Sequence, residues 1–344
     1  MPRLFVMKRN ERLPYNKFMP CGFKSAVHFA IFFVLAAFVA VFGLKPVAAS
    51  AWQEWVSGDV APDRALGRIW SVSDQRFVAP QTLITRLSAA RSIVLGEIHD
   101  NPVHHHLQAF LVGMVAPNQR PAVFLEMLSE DQSDALEAFR IQGPQTADGF
   151  ADRVDWQQSG WPDFQIYRPL IEAALSRKAR IEFALPGREA TQSVSQGGLK
   201  ALPGSQLAEL GLTSPLEPKL ASGLRAEIMA AHCDLLPIEA VPNMSAVQRF
   251  RDAHMAAVLR QAPKTGPAFL ITGNGHVRKD RGVPLYLDGQ AVSVMLQEVA
   301  ADMQPDQVAE SYSVDYPADY IWLTQVIPRD DPCAALKERF STND

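Results

Sequence analysis

From about residue 81 onward, the chain alternates between two patterns of hydrophobic residues. Short runs of consecutive apolar residues are separated by longer segments in which apolar residues recur every three or four positions, as along one face of a helix. Continuous apolar strands that alternate with helices indicate an α/β fold, in which a mostly parallel sheet is buried between flanking helices. The strands are predicted at residues 92–95, 122–125, 180–185, 267–272, 291–296 and 320–323.

The segments between these strands predict helices, and one segment has a different character. Glycine, proline and short helical stretches fill residues 187–265, so we expect a helical subdomain inserted into the α/β core. The α/β domain is expected to span residues 81–325, after an irregular or partly extended lead-in at 50–80 and before a C-terminal tail at 326–344. The helices are predicted at residues 82–90, 104–115, 129–139, 166–177, 225–231 and 246–260.

The first 49 residues have the features of an export signal. They hold seven lysines and arginines and one acid, and an uncharged apolar run of 19 residues at 26–44 precedes the small residues KPVAASA. This arrangement predicts a secretory signal peptide that is cleaved near Ala49 or Ala51. Because 19 apolar residues are long enough to cross a bilayer, an uncleaved N-terminal anchor is the alternative. The protein is therefore expected in the periplasm, or anchored to the membrane by this segment.

Charge and cysteine content narrow the function further. The formal net charge of −4 combines +6 in residues 1–49 with −10 in the remainder, and a domain so acidic is a poor candidate for binding nucleic acid. Only Cys233 and Cys333 follow the export signal, so the chain is not a disulfide-rich scaffold. The sequence leaves open whether these two cysteines form one bridge or remain free thiols.

Candidate catalytic residues follow three predicted strands. Two strands are followed by the pattern Gly-x-x-His, which places His99 and His276 after strand ends, and Glu97 lies within the first pattern. Glu126 ends a third strand. If the strands are parallel, all these side chains emerge at one edge of the sheet, where α/β folds form crevices. Glu97, His99 and His276 would suit a divalent metal, and together with Glu126 they would suit acid–base chemistry. The alternative is a structural hydrogen-bonding network.

Two further groups of polar residues lie on predicted helices. The run at 104–106 consists of three histidines, and helix geometry lets at most one or two of them face the same ligand. The alternative is a solvated first turn. Asp252 lies in the helix QRFRDAHMA, where it would either orient a histidine or belong to an exposed charged face.

Several motifs, taken in order, resemble the ChaN family of haem-binding uptake proteins, which belongs to a superfamily with the Tiki/TraB proteins and the erythromycin esterases. The resemblance spans residues 80–300 and implies an α/β core with a helical subdomain. It also implies haem binding tied to iron acquisition at a bacterial envelope. The motifs are LGEIHDNPVHHHLQ, VFLEM, an aromatic W-x-x-x-x-W…YRPL segment, HC followed by QRFRDAHMA, and TGNGHVRKDRGVPLYL.

The resemblance also implies how haem would be held. ChaN-like proteins bind haem through a tyrosine with histidine assistance in a cofacial dimer, so a homodimer around haem is expected. Tyr167 is the expected ligand because it lies in the YRP motif, with Tyr286 and Tyr320 as alternatives and with His104 and His105 as assisting residues. Outer-membrane receptor or transporter components are expected partners. The residues expected to pair with the haem propionates are Arg168, Arg278, Lys279 and Arg281.

The same resemblance supports a second function. In the esterase and Tiki-like relatives the Gly-x-x-His motifs point to hydrolysis. Here Glu97, His99, Glu126 and His276 would form that site, with a water activated by His99 with or without a divalent metal. No cysteine stands at the end of the apolar run, so a lipid anchor is not expected.

Overall fold

The computed structural model describes residues 48–58, 60–61, 63–143, 145–331, 333–334 and 337. They all lie in one compact unit, Lys45–Asp344. The predicted export signal at residues 1–49 lies outside the described residues except for its last two positions. Within the described ranges, no helix is long and apolar enough to cross a membrane.

The described residues form a single eight-stranded sheet with the order β2-β1-β8-β7-β3-β6-β4-β5. The six strands from β8 to β5 are parallel, whereas β1 pairs in antiparallel fashion with both β2 and β8. This architecture confirms the predicted α/β fold. The strands are β1 (Ile69–Ser71), β2 (Arg76–Val78), β3 (Ser92–Glu97), β4 (Ala122–Ser129), β5 (Arg180–Leu185), β6 (Ala268–Gly273), β7 (Ala291–Val299) and β8 (Tyr320–Gln325).

Helices cover both faces of this sheet, because successive side chains of a strand point to opposite faces and both sets are apolar. In β3, Ile93 and Leu95 join one apolar core, and Val94 joins the core on the other face. The helices are α1 (Ala48–Ser57), α2 (Pro80–Ser88), α3 (Pro102–Met114), α4 (Ser133–Ile141), α5 (Ala147–Arg153), α6 (Phe164–Ser176), α7 (Arg188–Gly197), α8 (Gly204–Glu209), α9 (Pro218–Ala231), α10 (Val241–Arg260), α11 (Asn274–Val277) and α12 (Pro305–Ser311).

Residues 50–80 are more ordered than the sequence predicts. They contain most of α1, in which Trp55 is buried and Trp52 stacks on His106 with ring centroids 5.0 Å apart. They also contain β1 and β2, which extend one edge of the sheet. The two short strands agree with the expected partly extended lead-in, although strands of three residues are too short to show a hydrophobic period, and α1 was not predicted.

The stretch 187–265 contains helices but no strand among its described residues, as expected of the helical subdomain. Val194 and Phe250 belong to a small apolar cluster of its own. Met255 and Leu259, near the end of α10, pack instead in the core on the sheet. The helical segment is therefore a layer of the same compact unit, and its last helix forms part of the covering of the sheet.

The C-terminal tail is tied back to the helical segment. Cys333 forms a disulfide with Cys233, which lies 100 residues earlier in the chain, just after α9. Arg329 pairs with Asp100, which follows β3, and with Glu298 of β7. The tail therefore runs from the end of β8 past the carboxyl ends of β3 and β7 to α9, and the question of pairing that the sequence left open is answered by a bridge.

Candidate functional site

Three adjacent strands bring the candidate side chains together. Strands β3, β6 and β4 are parallel neighbours, with Leu95 and Leu125 both in register with Ile271. Their carboxyl ends therefore lie at one edge of the sheet. Glu97 ends β3, Glu126 lies near the end of β4, and α11, which carries His276, begins directly after β6. The structure thus unites both Gly-x-x-His motifs and Glu126, as the sequence predicts.

The first cluster is centred on Glu97, whose carboxylate is fully buried. One carboxylate oxygen accepts hydrogen bonds from His99 Nδ1 at 2.8 Å and from the Tyr167 hydroxyl at 2.9 Å. The other accepts one from Gln108 Nε2 at 2.8 Å and lies 3.3 Å from His105 Nδ1. Burial alone would raise the pKa of Glu97, but His105 and His99 hold it well below its usual range. Both carboxylate oxygens of Glu97 therefore have polar partners within the protein.

The second cluster is centred on His276, which lies between two buried carboxylates. Its Nδ1 is 2.6 Å from Asp252 Oδ1 and its Nε2 is 3.3 Å from Glu126 Oε1. Both ring nitrogens can donate only in the protonated form of the ring. Burial alone would lower the pKa of His276, but the charges of Glu126 and Asp252 raise it to about 10. His276 is therefore an imidazolium at neutral pH.

The two carboxylates beside His276 differ from each other. Glu126 Oε2 accepts hydrogen bonds from the Thr272 hydroxyl at 2.6 Å and from the Gly273 N–H at 2.7 Å. Burial raises the pKa of Glu126, but His276 and His99 outweigh this effect and lower it to about 2. Burial raises the pKa of Asp252 to about 6, against the opposing charge of His276. Glu126 is thus firmly charged, whereas Asp252 titrates within the physiological range.

Gly273 separates the two clusters. A Cβ atom at this position would lie 3.0 Å from His99 Nε2 and 3.8 Å from Glu126 Oε2, so glycine leaves this space open. The His99 side chain is 34% exposed. Burial lowers the pKa of His99, but the hydrogen bond and charge of Glu97 raise it above the ordinary value. The arrangement presents an oriented histidine, held through Nδ1, with its Nε2 beside the second charged cluster.

A cleft of about 940 Å³ lies next to these clusters. Trp161 lines the cleft and packs edge-on against His99, with ring centroids 4.9 Å apart. Gln248 also lines it, and its Nε2 lies 3.2 Å from His276 Nδ1. Two lining residues of the cleft, Trp161 and Gln248, therefore contact the two clusters from the side of the helical segment. Its other lining residues are Ser129, Asp131, Ser159, Gly160, Leu185, Pro186, Arg188, Thr191, Gln192, Ser195, Ile228, His232, Met244, Val247 and Arg251.

The expected haem ligands lie inside the protein. Tyr167 has no exposed surface, and its hydroxyl donates to Glu97, while burial and the charge of Glu97 raise its pKa far above the usual range. In this structure the Tyr167 oxygen is therefore engaged inside the protein, and its role as a haem ligand stays a prediction. The alternative Tyr320 is 8% exposed, and Tyr286 contacts Arg249 rather than the site.

His104 and His105 are also fully buried, contrary to both interpretations of the histidine run. His104 Nδ1 accepts the N–H of Ile98 at 2.8 Å, and its Nε2 lies 2.8 Å from the Thr324 hydroxyl. Burial lowers the pKa of His104 to about 3, so the ring is neutral. These histidines tie α3 to the sheet and to Glu97, because α3 turns this face inward.

The arginines expected at the haem propionates already have partners. Arg168 pairs with Asp148 and Glu172, and Arg278 pairs with Asp280 at 2.7 Å. Lys279 and Arg281 likewise pair with Asp319 and Glu227. None of the four lines the cleft.

The expected metal site is not formed. Among the residues that the structure describes, no group of three histidine, cysteine, aspartate or glutamate side chains is placed to hold a metal ion. Glu97 and His99 bond to each other, and His276 is saturated by two carboxylates. The side chains that the sequence assigned to a metal, Glu97, His99 and His276, therefore already have partners within the protein.

Sequence reasoning missed several residues of this region. Gln108 and Thr272 donate hydrogen bonds to Glu97 and Glu126, and His232, which stands in the HC motif but was not selected as a site residue, lines the cleft. The signal that could have found His232 is its place beside a cysteine that turns out to be bridged. Asp252 contacts His276 and orients it, in agreement with the interpretation that Asp252 orients a histidine rather than belonging to an exposed charged face.

The chain is similar in sequence and in fold to known proteins. A family model described as "Haem-binding uptake, Tiki superfamily, ChaN" matches residues 83–287. The solved structure of ChaN of Campylobacter jejuni, described as showing cofacial haem binding, is similar in fold, with a TM-score of 0.57, 22% identity, and coverage of 74% of this chain and 95% of that one. No curated protein matches the chain.

Two other solved structures show weaker likeness. A mutant of the erythromycin esterase EreC in its open conformation has a TM-score of 0.39 at 10% identity, covering 77% of this chain and 99% of that one. The type III effector HopBA1 has a TM-score of 0.38 at 10% identity, covering 72% of this chain and 93% of that one.

Proposed function

Because this chain belongs to the ChaN family of haem-binding uptake proteins in the Tiki superfamily, we propose that it binds haem in the cleft beside Trp161 and His232. The cleft itself carries this proposal. It has a volume of about 940 Å³, it is open, and its wall combines the aromatic ring of Trp161 with the imidazole of His232. These are the features by which proteins bind a flat apolar ligand with a few placed polar groups.

His232 is our candidate for the axial ligand of haem iron. Its Nδ1 donates to the carbonyl of Ile228 at 2.8 Å, which leaves Nε2 with its lone pair. A hydrogen bond of this kind on the other nitrogen fixes the ring and is usual for metal-bound histidines. Bound haem would supply the iron as cargo. The residues of this chain would hold the ring, shield one face and complete the iron's coordination.

Transport at a bacterial envelope is the role that we propose for haem binding. The predicted export signal supports an envelope location, and so does the Cys233–Cys333 bridge, because structural disulfides persist in oxidising compartments. The structure of ChaN from Campylobacter jejuni is described as cofacial, so we propose a homodimer with haem at its interface. An outer-membrane receptor or transporter component would then supply or receive haem.

We expect a saturable change in the Soret band when haem is added to the purified protein. His232→Ala should weaken binding by about tenfold or more and shift the band. His99→Ala, which removes a histidine behind Trp161, is the matched control and should retain both affinity and spectrum. A wild-type protein without a saturable change would contradict haem binding. An unchanged His232→Ala spectrum would contradict only the ligand assignment.

A second candidate function is metal-independent hydrolysis, and the geometry of His99 favours it. Glu97 holds Nδ1, and Nε2 is directed to the space at Gly273 beside the Glu126–His276 pair. Such a base would take a proton from water as the water oxygen bonds to an acyl carbon, and it would then return that proton to the leaving group.

Hydrolysis of an aryl ester such as p-nitrophenyl acetate tests this second function. We expect His99→Ala to lower kcat/KM by about 100-fold or more, while His232→Ala retains it. The rate should rise with pH through a midpoint above 6.5, because only neutral His99 accepts a proton and its pKa is raised. Equal rates for wild type and His99→Ala would contradict this function.

A further inference from the structure

Two arginines line the cleft without a carboxylate partner. Arg188 begins α7 and Arg251 lies in the middle of α10, and both contribute to the cleft wall. Within the described ranges, no carboxylate lies at ion-pair distance from either guanidinium. The arginines that the sequence proposed for a ligand are all paired elsewhere, so these two are the guanidinium groups that the cleft offers.

Arg251 shows the clearest need for an acceptor. Its Nε is buried and has no hydrogen-bond partner among the described residues. Leaving such a donor unsatisfied is costly, and more so for a charged group, and buried polar groups in native proteins nearly always have a partner. An acceptor oxygen from a ligand in the cleft would satisfy this N–H.

The surrounding wall indicates what else the ligand carries. Met244, Val247 and Arg251 follow one another at helical spacing, so one face of α10 presents two apolar side chains next to the guanidinium. Trp161 and Ile228 add apolar surface. A guanidinium beside such a surface suits a ligand with an apolar body and a carboxylate at its edge.

The acid that lines the cleft beside Arg188 is already engaged. Asp131 lines the same cleft, and its carboxylate accepts hydrogen bonds from the Arg188 backbone N–H at 2.9 Å and from the Ser129 hydroxyl. It therefore anchors the start of α7 and leaves the Arg188 side chain free to turn toward the cleft.

We infer that Arg188 and Arg251 form the carboxylate-binding end of the cleft. Each presents paired N–H groups that match the two oxygens of a carboxylate. The ligand class is an apolar, planar molecule with carboxylate groups. The identification of that molecule as haem rests on the proposed function, in which case the propionates would occupy this end, but the charge requirement does not depend on iron.

Iron-free protoporphyrin IX and its dimethyl ester test this inference, because they share the ring and differ only in the carboxylates. Binding is followed by quenching of tryptophan fluorescence in the purified protein. We expect the wild type to bind the acid about tenfold tighter than the ester. Arg188→Gln and Arg251→Gln should each lose most of this preference. Arg225→Gln is the control, since it removes the same charge from an exposed position on α9 that does not line the cleft.

Three results would overturn the inference. They are no saturable binding of the acid by the wild type, equal binding of acid and ester, and an undiminished preference in both arginine variants. The haem titration decides the proposed function separately. A Soret change without any preference for the acid would support haem binding but contradict carboxylate binding by Arg188 and Arg251. A preference for the acid without a Soret change would support carboxylate binding but contradict haem binding.

Discussion

Replacing His276 with alanine is expected to lower the free energy of unfolding by about 3–5 kcal/mol at neutral pH. The substitution leaves the buried carboxylates of Glu126 and Asp252 without their shared counter-ion. Removing one partner from a buried ion pair is costly because the remaining charge stays out of water. Denaturant unfolding of the two proteins, followed by circular dichroism, measures the difference.

The pH dependence of this difference tests the charge of His276. Its pKa is raised from 6.5 to about 10 in the folded protein, so its contribution is full below pH 6.5 and is lost as the pH rises toward 10. The gap between wild type and variant should therefore narrow between pH 7 and 10. His254→Ala is the control, because burial lowers the pKa of His254 and its ring is neutral throughout that range.

A gap that stays constant from pH 7 to 10 would show that His276 is neutral in the folded protein. If His276→Ala does not fold, Asp252→Asn tests the same point. It removes one of the two carboxylates that raise the pKa of His276, so the alkaline loss of stability should begin at a lower pH.

The chemistry at the sheet edge was predictable because it depends on chain order and strand direction. Continuous apolar runs predict buried parallel strands, and parallel strands place the residues at their carboxyl ends along one edge. Glu97, His99, Glu126 and His276 could therefore be brought together from the sequence alone. The pattern also predicted the six long strands, although β3 and β4 extend beyond the apolar runs to include Glu97 and Glu126.

Burial of polar side chains was not predictable in the same way. The face of α3 that carries His104, His105 and Gln108 turns inward, and all three side chains are buried. A histidine on a helix has the same sequence signature whether it binds a ligand or a neighbouring carboxylate. Tyr167 illustrates the point, because its motif marks a residue that holds Glu97 rather than one that faces the cleft.

Contacts between residues that lie far apart in the chain could not be predicted from the sequence either. Arg188 and Arg251 lie 63 positions apart and meet the same cleft only through the packing of α7 against α10. Whether an arginine is free or paired depends on distant neighbours such as Asp148 for Arg168 and Glu227 for Arg281, which no local pattern reveals.

Reduction of the Cys233–Cys333 bridge is expected to lower the free energy of unfolding by about 2–4 kcal/mol. The bridge closes a segment of 100 residues that includes α10 and three strands of the sheet, so its loss enlarges the unfolded ensemble. Unfolding with and without dithiothreitol measures the effect. The double variant Cys233→Ser/Cys333→Ser is the control, because its stability should match the reduced wild type and should not respond to the reductant.

The bridge is also expected to affect ligand binding, since it constrains the residue next to His232. Cys233 has a left-handed backbone with φ of 58°, a conformation that is unfavourable for a side-chain-bearing residue and that surrounding contacts must maintain. When the bridge opens, His232 loses this constraint and the order of the cleft wall falls. We therefore expect haem affinity to decrease on reduction of the wild type and to be insensitive to reductant in the double serine variant. Unfolding curves that coincide with and without reductant would show that the bridge contributes nothing to stability, and unchanged haem affinity would show that the bridge does not hold His232 in place.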